Sequence, residues 1–181
     1  MVFKGQDIAT ITRPLLERLA ELVNETVFLG VKELDSVKIV DVVEAKKDFK
    51  ISSPIGTKLP ITAGAIGKIF LSAMSNEEVV EFLKGKGLPK YTENSITDMD
   101  LFMKEIEKTR DLGYSLDLGE YLKGIRAAAS LIYQDNSPVA AIWFVGFSNS
   151  MVNEKLDYII KNLKNTAQQI SARLSFSPLG E

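Results

Sequence analysis

Two stretches hold residues whose types and spacing could do chemistry. Ile51–Ser72 (ISSPIGTKLPITAGAIGKIFLS) packs Pro54, Gly56, Pro60, Gly64 and Gly67 into a turn-rich run that leads straight into a helical segment. Glycine at this density marks positive φ or close backbone approach, and the helix behind it begins with unpaired N–H groups. Backbone donors at the positive end of a helix dipole make a seat for an anion such as a carboxylate. The glycines could equally serve only a tight strand-to-helix turn. A P-loop is excluded, because Thr62 stands where the upstream glycine belongs and Ile69 replaces the magnesium-binding hydroxyl. The second stretch holds Asp117 and Glu120, a carboxylate pair that suggests acid–base work, or a solvated turn.

The missing residue types narrow the choice. The 181 residues include no histidine and no cysteine. Disulfides, thiol nucleophiles and thiolate metal sites are thereby ruled out. The usual general base and commonest metal ligand are absent too. An all-carboxylate or lysine-based enzyme remains conceivable, with Asp117 and Glu120 as its pair, but binding is the expected activity, with no metal and no cofactor. The net charge of −2 offers no basic footprint for nucleic acid. No apolar run is long enough for a membrane span and the first residues lack a signal-peptide core, so a cytoplasmic, membrane-free protein is expected.

These residues must be positioned by the surrounding elements. Ile8, Ile11, Leu15, Leu19, Leu22 and Val23 recur at helical spacing over about Asp7–Asn24. Pro14 predicts that this helix begins or breaks near Thr12. Thr26–Val31 and Ser36–Val43 read as a hairpin, followed by a charged loop and a short strand at Phe49–Ser52. Helices are expected over Ala65–Ala73, after the Ser75–Glu78 capping box, and after Asp98 up to Gly113. Tyr114–Leu118, Gly124–Tyr133 and Val139–Phe147 read as strands, with a turn at Asp135–Pro138. A long helix carries Val152, Leu156, Ile159, Leu163, Ile170 and Leu174, and Ser177–Glu181 is expected to fray. Adjacent strands with short turns favour an antiparallel sheet, so the fold class is α+β in a single domain over residues 1–181, with helices from both chain ends packed together on the sheet.

Four blocks in this order carry a family likeness: PLLERLAELV (Pro14–Val23), SPIGTKLPITAGAIGKIFLSAMS (Ser53–Ser75), the run from Tyr91 to Ser130 containing ITD, RDLGY and DLGE, and SPVAAIWFVG (Ser137–Gly146). Together they cover nearly the whole chain. The chain resembles the effector-binding, C-terminal domain of the IclR family of transcription regulators. The resemblance implies a GAF/profilin-like antiparallel sheet of about six strands flanked by helices. It also implies a homodimer or tetramer that senses a small organic acid, with DNA contacted only through an N-terminal winged helix-turn-helix domain. That domain is expected to be absent from these residues, and a stand-alone binding or oligomerisation module is the alternative.

The resemblance implies site residues as well. Consecutive amides at Ala65 and Ile66, beside Gly64, match the family's seat for the effector's carboxylate. Asp117 matches a pocket residue that hydrogen-bonds the ligand's oxygen, while Glu120 is expected to pair with Arg126 or Arg110. Ile51, Leu59 and Ile125 match apolar wall positions. The departures are at Ala127, Trp143 and Val145, where relatives often carry Cys, Ser and Ser that hold the far end of small 2-oxo acids. An apolar pocket with a bulky indole suits a polar two- or three-carbon acid poorly. Either the effector is larger and more apolar, such as an aromatic acid, or Trp143 fills the space; a one-residue slip in register would instead make Trp143 plain core.

Overall fold

The computed structural model describes residues 5–176, with side chains from Asp7 onward; the expected fray at Ser177–Glu181 lies outside the described residues. In chain order the elements are α1 (Gly5–Val23), β1 (Thr26–Glu33), β2 (Ser36–Val43), β3 (Lys58–Pro60), α2 (Gly64–Leu71), α3 (Asn76–Leu83), α4 (Met99–Leu112), β4 (Ser115–Leu118), β5 (Ile125–Gln134), β6 (Ser137–Phe147) and α5 (Asn153–Phe176). The strands form one antiparallel sheet in the order β3-β2-β1-β6-β5-β4. This is the α+β class expected.

Strand alternation decides what each face packs against. Val27, Leu29, Ala128, Ile132, Ala140, Ile142 and Phe144 point to α1 and α5, whose Leu16, Leu19, Ile159, Leu163 and Ile170 complete that core. Phe28, Ile39, Ala127, Ala129, Ala141 and Trp143 point the other way, toward α2, α3 and α4. The first layer closes into continuous packing. The second leaves room.

Three expectations are corrected. Pro14 neither starts nor breaks α1, which runs through it. Burial of Leu15, Leu16 and Leu19 against the sheet outweighs the lost rung. Buried Thr12 is satisfied by donating its hydroxyl back to Ile8 O (2.9 Å). Phe49–Ser52 is not a strand; the edge strand is Lys58–Pro60, pairing Leu59 with Val37. Pro54 cannot donate to a ladder, and Gly56 at φ 93° turns the chain before it meets β2. Residues 44–57 therefore cross one end of the sheet as an irregular strap. The turn between β5 and β6 also tightens to Asp135 and Asn136, both at positive φ, so Ser137 and Pro138 already belong to β6.

The remaining starts and stops follow their local signals. Ser75 and Glu78 cap α3 reciprocally, Asp98 Oδ1 accepts from Leu101 N–H (2.9 Å), and Gly113 ends α4 at φ 75°.

Candidate functional site: a buried cavity at the start of α2

The sheet register builds one wall. Asp117 lies opposite Ala127, Ala127 opposite Val145 and Val145 opposite Thr26, so β4, β5, β6 and β1 present a single lateral row. The next row joins Ala129, Trp143 and Phe28. Above these rows is a cavity of about 90 Å³, lined by Phe28, Ile39, Ile51, Leu59, Ala65 and Asp117 among others. All ten residues singled out from the sequence line this one space: Ile51, Leu59, Gly64, Ala65, Ile66, Asp117, Ile125, Ala127, Trp143 and Val145. Trp143 is in register and faces the cavity.

Helix α2 forms the opposite wall, and each of its eight residues is buried. Its first intrahelical bond runs from Gly67 N–H to Ala63 O (3.0 Å), so the N–H groups of Gly64, Ala65 and Ile66 precede the ladder. Ala63 at the N-cap brings no side-chain cap. Gly64 has φ 47°, and a Cβ there would collide with the Asp117 carboxylate. Glycine is required on both counts. A Cβ on Gly67 would meet the Ile61 carbonyl, which lets α2 lie tightly on the preceding turn.

Asp117 is 5% exposed, and among the described residues it is the one formally charged side chain in the lining. Its Oδ1 accepts from Glu120 N–H (2.6 Å). Burial pushes its pKa up, opposed by the backbone donors of its own turn and by the Lys68 ammonium.

Glu120 departs from expectation. It pairs with neither Arg126 nor Arg110; Lys68 Nζ donates to both its oxygens, at 2.9 and 2.8 Å. Arg110 instead caps the end of α2 by donating to Ser72 O and Met74 O, and Arg126 donates to Met151 O. Lys68 is 2% exposed, with the Glu105 carboxylate a further 3.9 Å away. Burial also raises the pKa of Glu120, with Lys68 pulling it down. Glu120 faces a second, much smaller polar recess of about 20 Å³, which shares Gly64 but not Asp117 with the first cavity. The two carboxylates therefore do not meet across a common space, and the acid–base pairing suggested by their spacing is not assembled.

The indole of Trp143 stacks on Phe28, with ring centroids 5.3 Å apart and planes 14° from parallel. It lies so close over Gly30 that a Cβ there would come within 2.7 Å of the ring. Trp143 thus takes up part of the cavity without closing it. Over the mouth, the turn from Gly119 (φ 85°) to Gly124 (φ 74°) contributes Tyr121 and half-exposed Leu122. That turn is held down by Thr92 and Ser95, whose hydroxyls donate to Gly119 O (2.6 Å) and Glu120 O (2.7 Å), and by an edge-to-face contact of Tyr91 with Tyr121.

Sequence reasoning missed Phe28, Ile39, Tyr121, Leu122 and the Lys68–Glu120 pair. Lys68 had a signal, as the one charge in the otherwise apolar Ala65–Ala73. No local signal named its partner 52 residues away.

Residues 1–172 match the family described as bacterial transcriptional regulator IclR, C-terminal. The HTH-type transcriptional repressor AllR of Escherichia coli K12 is 30% identical over 171 residues, covering 94% of this chain and 63% of the repressor. The chain thus spans less than two thirds of the length of that relative. The crystal structure of Thermotoga maritima IclR superposes with a TM-score of 0.87 at 30% identity, over 94% of this chain and 69% of that one. The inducer-binding domain of Acinetobacter PobR, solved as a double mutant with 3-hydroxybenzoic acid, shares the fold at 24% identity and a TM-score of 0.82, over 90% and 96% of the two chains. On the matched span and these relatives, the chain belongs to the IclR family of transcriptional regulators, within its C-terminal domain.

Proposed function

We propose that this domain binds a small carboxylic acid in the cavity at the start of α2 and thereby acts as the sensing part of a transcriptional regulator. One observation carries the reading: the uncapped start of α2, with its leading amides at Gly64, Ala65 and Ile66, opens onto a cavity walled mainly by apolar side chains. Such a wall strengthens an anion's attraction to the helix end, because little water competes there. The carboxylate would sit on the Ala65 and Ile66 amides, with the rest of the ligand against Ile51, Leu59, Ile125, Ala127, Trp143 and Val145. Asp117 would hydrogen-bond a polar atom next to the carboxylate. No catalytic step is assigned, since Asp117 and Glu120 face different spaces.

Signalling needs a ligand that binds one conformational state better than another. The Gly119–Gly124 turn and the 44–57 strap both contribute to the cavity, and the strap reaches α5 through Glu25, which accepts from Lys47 Nζ (2.8 Å) and Lys155 Nζ (2.9 Å). Seating a ligand would shift these elements together and with them the arrangement of subunits in a homodimer or tetramer. DNA would be contacted through a separate winged-helix module joined by way of α1, in the cytoplasm.

Thermal-shift measurements with a panel of carboxylic acids test the reading, because a ligand that binds only the folded state raises the midpoint by mass action. A saturable rise with at least one acid is expected. No rise with any acid, aliphatic or aromatic, would overturn it. The subunit arrangement has its own check: a monomer alone by size exclusion at micromolar concentration would refute the oligomer.

A further inference from the structure

Asp117 poses a hydrogen-bonding problem at the point where the proposed ligand would sit. Its Oδ1 accepts from Glu120 N–H at 2.6 Å. Its Oδ2 lies against Gly64, the first residue of α2, where any Cβ would collide with it. An acid seated on the Ala65 and Ile66 amides therefore brings its own oxygens close to Oδ2. An ionised carboxylate only accepts hydrogen bonds, and so does a ligand's carboxylate or 2-oxo oxygen. Two acceptors in contact need a proton between them, and where two carboxylates share a site one of them holds it.

The surroundings show where that proton must come from. Among the described residues the cavity lining has no lysine or arginine. The Lys68 ammonium of α2 favours charge on Asp117. Its hydrogen bonds, however, go to both oxygens of Glu120, at 2.9 and 2.8 Å, and the Glu105 carboxylate of α4 stands 3.9 Å from it. Arg126 of β5 is taken up by Met151 O. Tyr121 is the other titratable side chain of the lining, and burial raises its pKa, so its phenol keeps its proton near neutral pH. No neighbouring cation is free to answer a second negative charge, and burial already pushes the Asp117 pKa up. The proton is left to come from solvent.

Building on the proposed acid-binding role, we infer that a short acid with no donor of its own binds together with one proton from solvent, held on Asp117 Oδ2 and donated to a ligand oxygen. Asp117 then works as a neutral carboxylic acid rather than as an anion. An acid with a hydroxyl beside its carboxylate can instead donate to ionised Asp117 and needs no extra proton. The linkage has a definite sign. Affinity for the acceptor-only acids rises as pH falls, by up to about tenfold per pH unit wherever Asp117 is ionised in the free domain.

Isothermal titration of the 181-residue chain tests this, with acetate, propanoate, pyruvate and L-lactate as titrants. Short acids suit a cavity of about 90 Å³, smaller than the roughly 150 Å³ that admits a benzene ring. Titrations in PIPES and in imidazole, which differ in heat of ionisation, count the protons. At least one of acetate, propanoate and pyruvate should bind with uptake of close to one proton. Its affinity should rise roughly fivefold or more per unit from about pH 8 to about pH 6, a range in which these acids stay ionised. Asp117→Asn puts an amide donor where Oδ2 was, because Oδ1 still has to accept from Glu120 N–H. That variant should bind the same acid at least as tightly as the wild type near the alkaline end, with neither slope nor proton uptake. Binding without proton uptake and flat in pH would overturn the inference while leaving an acid-binding cavity intact. So would binding of lactate alone, or loss of binding in an Asn variant that circular dichroism shows to be folded. If that variant does not fold, the wild-type proton count decides. No binding by any of the four would overturn the inference too, and the thermal-shift panel then decides separately whether the broader acid-binding reading stands.

Discussion

Two buried carboxylates lie three strands apart toward the same end of the sheet, and they are treated differently. Glu25, 1% exposed at the start of β1, accepts from Lys47 Nζ (2.8 Å), Lys155 Nζ (2.9 Å) and Ser150 Oγ (3.2 Å). It ties the 44–57 strap to the start of α5. Asp117, 5% exposed on β4, meets backbone donors of its own turn and the cavity. The nearby ammonium of Lys68 is held by Glu120 instead. A buried charge costs several kcal/mol unless it is paired. Glu25 therefore has its own cations, whereas Asp117 faces the cavity with none in the lining, as the proposed ligand site would require. The same contrast separates the sheet's two faces, close-packed under α1 and α5 and hollow under α2.

The largest effect expected from breaking this contrast is at Glu25. Glu25→Ala would leave two lysines facing each other at the sheet end, and should cost about 3 kcal/mol in urea unfolding. A loss under about 1 kcal/mol would mean the cluster is incidental. Next comes Lys68→Met, which keeps the stem's volume and strands Glu120. It should cost about 2 kcal/mol at neutral pH, and less as the solution is acidified and the stranded carboxyl takes up a proton. A loss independent of pH would contradict the pairing. Gly30→Ala should cost roughly 1–3 kcal/mol by pushing its methyl into the Trp143 ring. Trp143→Phe should relieve much of that cost when combined with it, and simple additivity in the double mutant would show that the indole does not rest on Gly30.

The smallest effect has the opposite sign. Burial raises the pKa of Asp117 and of Glu120. The folded state therefore holds protons on these groups that the unfolded chain has already released. Their contribution to stability is full below the ordinary carboxylate range and is lost as pH rises through the raised folded values. Asp117→Asn keeps the acceptor for Glu120 N–H and removes the buried charge, so the ligand-free domain should become slightly more stable at neutral pH. The gain should vanish in acid. Destabilisation at neutral pH in a thermal melt would mean that the Asp117 charge is satisfied within the protein after all.

Much of this arrangement was legible from residues near one another in the chain. The Ser75–Glu78 box, Asp98, Gly113 and the alternation in β5 and β6 are local signals, and each produced the element expected. The resemblance to a known family picked out ten residues from six separate segments, and the fold brings all ten to one cavity. What could not be read are the partnerships between distant residues. Lys68 and Glu120 are 52 positions apart, and Phe28 meets Trp143 only through the β1–β6 register. The edge strand was misplaced because Phe49–Ser52 has strand-like residues but is followed by Pro54 and Gly56, which turn the chain away before it can pair. For the same reason Ile51 lines the cavity from a strap rather than from the sheet.

The most direct measurement is a nitrogen–proton correlation spectrum of the labelled domain, titrated with whichever carboxylic acid raises its melting temperature. The account predicts that the Ala65 and Ile66 amides and the Trp143 indole N–H shift most, with Gly64 and the Gly119–Gly124 turn close behind. Saturating binding that leaves residues 64–66 unmoved, with the largest shifts elsewhere, would contradict it.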